Sequence, residues 1–325
     1  MEVPMLDDQF QFRTVDIQLT SGRMRVVIEG SEQDQPVVML HGNPTWSFFF
    51  RHLILGLRST HRVIVPDHIG MGYSEKPDKK KYPYTLNQRI LDFAELINQL
   101  EPQRPITLIS HDWGGMIGMG WAVNHPQRIS RIVQFNSAAF RMPATKRFPW
   151  RIGVFRIPIV GRILATRFNL FAQGAIQKCV MKPLTKTLAA QYLKPYANPT
   201  HREGIYQFVQ DIPLTPNHST YPLVNSIEQA LHKLQSIPCL ICWAGRDFVF
   251  DHHFLNEWRK RYPSAVVRVF PNAGHYLLED EPVGVLDEVL KFMGVAATAV
   301  NSRPLGGTQY TQVNSLLVGS GGLSE

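Results

Sequence analysis

The sequence has few cysteines, and no apolar run in it is long enough to span a membrane. Its 325 residues include three cysteines, of which Cys239 and Cys242 lie in PCLICW, a stretch typical of a strand. Because positions three apart on a strand point to opposite faces, we interpret these two as buried core thiols and not as a redox pair. No apolar run reaches the ~20 residues of a spanning helix, and MEVPMLDDQF lacks the features of a signal peptide. We therefore expect a cytoplasmic protein.

Charged residues are also scarce, at 18% of the chain, whereas hydrophobic residues make up 44%. This balance excludes a disordered chain and allows a substantial core. The length suits one large α/β domain that carries an insertion, or two domains.

Acidic residues are missing from one segment. Residues 138–200 contain eleven of the 34 lysines and arginines and no Asp or Glu, which leaves 23 basic and 26 acidic residues elsewhere. Within this segment, FPWRIGVFRIPIVGRILATRFNLF interleaves arginines with large apolar residues, as an interfacial segment does. Two interpretations stay open: a solvated basic face, or a surface for a membrane, a partner enzyme or a second copy of the chain. No nucleic-acid-binding signature accompanies the charge, so no nucleic-acid partner is expected.

Short apolar strands alternate with helical stretches along much of the chain. An amino-terminal hairpin turns at Ser21 and Gly22, and six strands follow: PVVMLHG, HRVIVPD, PITLISHD, IVQFNSA, PCLICWAG and AVVRVFPNAG. This alternation predicts an α/β fold with a mostly parallel central sheet and helices on both faces.

The alternation stops after Ser137 and resumes near Pro238. We therefore divide the chain into a first part of the core (1–137), an inserted helical cap (138–227), a second part of the core (228–295) and a tail (296–325). The tail is rich in Gly, Ser and Thr, a composition that predicts disorder.

Polar residues follow several of the predicted strands, at the sheet edge where ligands bind in open α/β folds. After PITLI comes SHDWGG, in which Asp112 stands between small residues at a strand-to-helix turn. This is the form of a nucleophile elbow, although Ser110 occupies a position where the motif usually has glycine. The alternative is that Asp112 only caps the following helix.

Two later strand ends supply an imidazole and a carboxylate. His275 lies on a loop near the end of the fold, where a catalytic base is expected, and Asp247 follows the preceding strand. A carboxylate there can orient an imidazole, and Asp251 is a rival for that role. The strand IVQFNSA ends in Asn136 and Ser137 and offers no carboxylate.

The first of the parallel strands runs into HGNPTW. Backbone N–H groups of such a loop, together with the N–H that follows the nucleophile, form an oxyanion hole in this class of fold. Asn43 adds a side-chain donor. Several strand ends thus carry complementary roles.

The motifs HGNPTW, PDHIGMGYS, SHDWGG, GRD and NAGH together resemble the haloalkane dehalogenase branch of the α/β-hydrolase superfamily, from about Phe12 to Met293. The pattern is similar to the third subfamily and, in turn, to the β-lactone decarboxylases of bacterial olefin biosynthesis, which NSAAFRMPATKRFPW and FVQDIPL especially resemble. The resemblance implies an α/β-hydrolase fold. It also implies Asp112 as nucleophile, His275 as base, Asp247 as acid, and Asn43 with Trp113 as leaving-group donors.

A carboxylate nucleophile suits attack at saturated carbon, which gives an alkyl ester that water hydrolyses with His275 as base. The main expectation is therefore a haloalkane dehalogenase that acts on a hydrophobic small molecule, with Trp113 and Asn43 holding the halide. The alternative is a cis-3-alkyl-4-alkyloxetan-2-one (β-lactone) decarboxylase that uses the same residues.

Two further interpretations are weaker. Epoxide hydrolysis needs acidic donors, for which Tyr192, Tyr196 and Tyr206 of the cap are candidates, although packing explains them as well. A non-catalytic ligand-binding relative would commonly have an incomplete set of catalytic residues, and here every position is filled. The twelve histidines show no metal-ligand spacing, and no phosphate-binding glycine loop is present, so no metal and no cofactor are expected.

Overall fold

The computed structural model describes residues 12–101 and 103–295; the predicted tail, 296–325, lies outside them. The strands are β1 (Thr14–Leu19), β2 (Gly22–Glu29), β3 (Gln35–Leu40), β4 (His61–Pro66), β5 (Ile106–Asp112), β6 (Ile129–Ser137), β7 (Cys239–Ala244) and β8 (Val266–Phe270). The helices are α1 (Arg51–Leu57), α2 (Leu86–Leu100), α3 (Trp113–Ala122), α4 (Trp150–Gly153), α5 (Val160–Arg162), α6 (Leu170–Lys178), α7 (Lys186–Leu193), α8 (Glu203–Gln210), α9 (Tyr221–Ala230), α10 (His252–Arg261), α11 (Leu277–Asp280) and α12 (Pro282–Met293).

The eight strands form one sheet in the order β1-β2-β4-β3-β5-β6-β7-β8. β2 pairs antiparallel with β1, as the predicted hairpin requires, and antiparallel with β4. All other pairs are parallel. The predicted α/β architecture is confirmed, and the carboxyl ends of the parallel strands meet at one edge of the sheet.

The central strands are buried on both faces, because helices cover the sheet. Every residue of β5 and β7 is buried. The helix α3 packs against β3, β5 and β6, while α12 packs against α1 and β7. Cys239 and Cys242 are free thiols on β7, as expected for core residues, and burial raises the pKa of Cys239 to about 12.

The stretch TLNQRILDFAELINQL contains α2. This helix begins after Thr85, whose hydroxyl accepts the backbone N–H of Gln88 and so caps the first turn. Phe93, Leu96 and Ile97 lie on its buried face, as the helical spacing predicts. Among the described residues, no helix is long and apolar enough to cross a membrane.

Between β6 and β7 the described chain contains helices and turns and no strand. One buried ion pair, and one hydroxyl group that binds an ion pair of the core, attach this part to the rest. Asp211, at the end of α8, accepts the N–H of Leu86 at 2.6 Å and pairs with Arg89 at 3.2 Å. Glu279 binds Arg51 with both carboxylate oxygens and accepts the hydroxyl of Tyr192. The boundaries of the cap stay a prediction.

Candidate active site

Asp112 lies at a tight turn between the end of β5 and the start of α3. Its φ of 53° is in the left-handed region, which is strained for a residue other than glycine. The turn is possible because Gly114 lies against the preceding strand of the sheet, where a Cβ would come within 1.9 Å of the carbonyl oxygen of Leu40. The turn holds the Asp112 side chain above the sheet edge, as in a nucleophile elbow.

The serine that departs from the elbow motif has a partner of its own. Ser110 is fully buried, and its hydroxyl donates to Oε1 of Gln134 on β6 at 3.0 Å. Apart from the backbone N–H of Trp113, no N–H group of α3 donates to the carboxylate of Asp112, so the structure does not support the helix-capping interpretation.

Three titratable side chains converge at this edge. Nδ1 of His275 lies 2.7 Å from Oδ2 of Asp247, and Nε2 of His275 lies 3.7 Å from Oδ2 of Asp112. The other oxygen of Asp112, Oδ1, accepts the backbone N–H of Asn43 at 2.8 Å. The backbone N–H of Trp113 also interacts with the carboxylate. Oδ1 is therefore held by the backbone N–H of Asn43, whereas Oδ2 faces the imidazole.

The charge of a neighbouring group shifts the pKa of both His275 and Asp112 in the direction opposite to the effect of burial. Burial lowers the pKa of His275, but Asp247 and Asp112 raise it by more, so the net pKa is raised. Burial raises the pKa of Asp112 and exceeds the opposing effects of His275 and the two backbone N–H groups. The site thus favours a protonated imidazole between two carboxyl groups.

The rival acid, Asp251, is engaged elsewhere. Its carboxylate pairs with Lys146 at 2.8 Å and accepts the N–H of His253 at the start of α10. Asp251, His252 and His253 have ligand atoms within 4.8 Å of one another and are the group of described residues that could hold a metal ion. The ion pair with Lys146 already occupies the carboxylate, so this group is a poor metal site.

The loop that carries His275 is fixed by three backbone hydrogen bonds. Nε2 of His111 donates to the carbonyl of His275 at 2.9 Å. The N–H of Tyr276 donates to the carbonyl of Cys179 at 2.7 Å, and the N–H of Gly274 donates to Asp280 at 2.7 Å. The same Asp280 carboxylate accepts the N–H groups of residues 181 and 182. These hydrogen bonds connect the loop of His275 to both the core and the cap.

The two predicted leaving-group donors border the same space. Asn43 and Trp113 both line a cavity that Asp112 and His275 also line. One N–H of the Asn43 carboxamide donates to the carbonyl of Ile205 at 3.1 Å, which leaves the second N–H for a ligand. Among the described residues, no acceptor takes the indole N–H of Trp113. The indole ring lies 5.3 Å from the ring of Phe208.

The cavity has a volume of about 240 Å³ and a mainly apolar wall. The phenylalanines that line it come from both the cap and the core: Phe140, Phe148, Phe155, Phe171, Phe248, Phe250 and Phe254. None of the three cap tyrosines considered for epoxide chemistry lines it. Tyr192 donates to Glu279, and the Tyr196 hydroxyl accepts the N–H of Gly72. Both therefore have structural partners.

The sequence did not reveal the contributions of His111 and Asp280. Both act on the backbone around His275; His111 occupies a position of the SHDWGG motif to which no role was assigned, and Asp280 lies outside the motifs. The only signal is position, since His111 precedes Asp112 and Asp280 lies five residues after His275.

Fold and site together define an enzyme built on the α/β-hydrolase plan. The chain belongs to the alpha/beta hydrolase fold family, which is matched over residues 35–282. It is 43% identical over 301 residues to a cis-3-alkyl-4-alkyloxetan-2-one decarboxylase of Shewanella oneidensis, covering 91% of this chain and 94% of the relative. It is 29% identical to a haloalkane dehalogenase of Mycolicibacterium paratuberculosis, covering 83% of this chain and 87% of the relative.

Solved structures show the same fold. The crystal structure of a haloalkane dehalogenase from Bradyrhizobium elkani superposes with a TM-score of 0.79 at 22% sequence identity, covering 87% of this chain and 97% of that one. The expected resemblance to the haloalkane dehalogenases and to the β-lactone decarboxylases is confirmed.

Proposed function

We propose that this enzyme is a cis-3-alkyl-4-alkyloxetan-2-one decarboxylase, which converts a cis-β-lactone to a cis-alkene and carbon dioxide. The observation that carries the proposal is the 43% identity, over nine-tenths of the chain, to a decarboxylase of this name, against 29% to a dehalogenase. The findings therefore favour the alternative over the dehalogenase, which was the main expectation from the sequence.

The first step is attack by Asp112 on the saturated ring carbon C4. Oδ2 forms a bond to C4, and the bond between C4 and the ring oxygen breaks with its electron pair on oxygen. The product is an alkyl ester of Asp112 whose neighbouring carbon, C3, carries a free carboxylate. Oδ1 accepts the backbone N–H of Asn43, so Oδ2 is the oxygen left to attack.

The second step releases both products. The bond from C3 to the carboxylate breaks, its electrons form the C3–C4 double bond, and the bond from C4 to Oδ2 breaks to restore the Asp112 carboxylate. Inversion at C4 followed by anti loss of the two groups converts a cis-lactone to a cis-alkene. Neither step consumes water or moves a proton.

The hydrogen-bond donors around Asp112 can stabilise the substrate carboxylate that forms when the bond between C4 and the ring oxygen breaks. The indole N–H of Trp113 and the second N–H of the Asn43 carboxamide can both donate to it. Oδ2 of Asp247 lies 2.7 Å from Nδ1 of His275. The raised pKa of His275 favours an imidazolium, which attracts the negative charge of this leaving carboxylate. The apolar cavity wall accommodates the alkyl substituents.

Haloalkane hydrolysis is the second candidate. It is supported by the free N–H of Trp113, which suits a halide, and by the position of His275 beside Asp112. In this reaction a neutral His275 removes a proton from the water that attacks the ester.

One experiment separates the two candidates. The purified protein is incubated with a long-chain cis-β-lactone and, separately, with 1-bromohexane, and alkene and bromide are measured. We expect cis-alkene from the lactone, at a rate well above any bromide release, and no product from Asp112→Ala with either compound. Bromide release without alkene would overturn the proposal in favour of a dehalogenase.

A further inference from the structure

The cap exposes large apolar side chains along one short stretch. Trp150 is 73% exposed, Ile159 75% and Phe168 56%. Four more exposed apolar residues lie between or beside them: Ile157, Val160, Ile163 and Leu170. We refer to the exposed side chains of residues 147–170 as the cap face. So many exposed apolar residues in so short a stretch indicate an interaction surface.

The elements that carry the cap face pack against one another in chain order. α4 packs on the turn 154–156, that turn on α5, α5 on the turn 163–167, and that turn on α6. The exposed residues therefore lie on a continuous series of packed helical segments.

Ile159 forms the tip of a strained turn within this face. The N–H of Val160 donates to the carbonyl of Pro158 at 2.6 Å, and Ile159 between them has φ 65° and ψ −58°. A γ-turn with positive φ is rare and strained, and more so for a β-branched residue. The fold thus retains a strained backbone that presents an apolar side chain to solvent.

The charge of the cap face is positive. Arg147, Arg151 and Arg167 are exposed and form no ion pair with any described residue. Two other arginines of this stretch have partners within the protein. Arg156 donates to the carbonyls of residues 209, 210 and 212, and Arg162 pairs with Glu203 at 3.1 Å.

The cavity reaches the surface at this face. Arg151 and Leu170 are exposed and also line the cavity that contains Asp112. A substrate that arrives at the cap face therefore meets side chains of the cavity wall.

We propose that the cap face docks on an anionic lipid bilayer, with Trp150, Ile159 and Phe168 in the headgroup region and Arg147 and Arg167 on lipid phosphates. Apolar side chains flanked by unpaired arginines, with no acidic residue from 138 to 200, match an anionic interface. The route of a lipid-dissolved lactone into the cavity rests on the proposed function, whereas the docking itself does not.

Vesicle sedimentation of the full chain tests the docking. The vesicles are phosphatidylcholine alone, or phosphatidylcholine with one-quarter phosphatidylglycerol, at low and at high salt. We expect binding to the anionic vesicles at low salt and its loss at high salt or on neutral vesicles. Arg147→Glu with Arg167→Glu should lower the partition coefficient by roughly thirtyfold or more. Trp150→Ser, Ile159→Ser and Phe168→Ser together should abolish binding.

A matched control changes the same kinds of residue elsewhere. Lys79→Glu, Lys80→Glu and Leu91→Ser alter exposed residues outside the cap face, and this variant should bind vesicles as the unchanged protein does. The proposal is overturned if the unchanged protein stays in the supernatant with anionic vesicles, or if the control loses as much binding as the cap-face variants. It is also overturned if sedimentation velocity shows a dimer that Ile159→Ser dissociates, because a second copy then covers the face.

Turnover of a short-chain, water-soluble cis-β-lactone separates this proposal from the proposed function. The residues changed in the cap-face variants do not line the cavity, so their rate with the soluble lactone should stay within about twofold of the unchanged protein. If the protein turns over the lactone but does not bind vesicles, only the docking proposal is contradicted. Vesicle binding without lactone turnover contradicts the decarboxylase assignment alone.

Discussion

The carbonyl oxygen of His275 accepts a hydrogen bond from Nε2 of His111, 2.9 Å away. The ring of His111 is fully buried and stacks on Phe49, with centroids 4.4 Å apart. Burial, followed by the charge of His275, lowers the pKa of His111 well below its usual value. His111 is therefore neutral, with its proton on Nε2, and acts on His275 through the backbone.

We expect His111→Phe to lower kcat for lactone decarboxylation by roughly tenfold, with KM within about twofold. The ring and its stacking remain, but the buried carbonyl of His275 loses its donor, and small displacements of a catalytic group are costly. His111→Gln can still donate from its amide and should restore most of the rate. Steady-state kinetics at one pH test this, and equal losses in both variants would contradict a positioning role.

The two candidate reactions should respond differently to His275→Gln. With 1-bromohexane, the variant should stop after the alkyl ester forms, because no base activates water. Mass spectrometry should then find an adduct on the peptide that contains Asp112. With the lactone, the variant should turn over more slowly but leave no lasting adduct, since the second step needs no proton transfer. A lasting adduct from the lactone would contradict the two-step scheme.

Asp247→Asn should slow lactone decarboxylation by roughly a hundredfold, because it removes the charge that favours the imidazolium. Asp247 raises the pKa of His275, so its loss lowers that pKa. The fall in rate with rising pH, as His275 loses its proton, should therefore begin at a lower pH in the variant. A pH–rate profile measures this shift.

Asp251→Asn is the matched control for Asp247→Asn. The carboxylate of Asp251 binds Lys146 and His253. The Asp251→Asn variant should therefore keep the rate and the pH profile of the unchanged protein. The reverse ranking of the two variants would contradict the assignment of Asp247.

Much of the fold follows from the sequence, since each central strand is a short apolar run between turn residues. The strand-end residues Asp112, Asp247 and His275 could be predicted to meet because parallel strands bring their carboxyl ends to one edge of the sheet. Asn43 could be placed there for the same reason.

The remaining features depend on contacts between distant parts of the chain. Asp280 binds backbone N–H groups of Gly274 and of residues 181 and 182, and backbone groups leave no trace in a sequence pattern. Arg156 counts as a free positive charge in the composition, but it satisfies carbonyls at the end of α8. Its reversal to Glu would therefore disturb the cap itself, which is why Arg147 and Arg167 are the better tests of docking.

Arg51 and Glu279 form a buried ion pair within the core, and this pair contacts the cap through Tyr192. Both side chains are 3% exposed, and Tyr192 of α7 donates to the same carboxylate. Burial raises the pKa of Glu279, but the bonds and charge of Arg51, together with Tyr192, lower it by more, so the net pKa lies below its usual 4.5. Glu279→Gln leaves the Arg51 charge buried without its partner, and we expect a loss of about 3–5 kcal/mol in the free energy of unfolding near neutral pH.

The pH dependence of that loss follows from the direction of the shift. A lowered carboxyl pKa stabilises the fold above the unfolded value of about 4.5, and this contribution disappears as pH falls through the folded value. The difference between the unchanged protein and Glu279→Gln should therefore narrow below about pH 4.5. Urea unfolding at several pH values measures it, with Glu257→Gln as control. Glu257 pairs with Lys260 and Arg261 at the surface, so its loss should cost at most ~1 kcal/mol. Equal losses in the two variants, or a difference that does not change with pH, would show that the Arg51–Glu279 pair does not stabilise the fold.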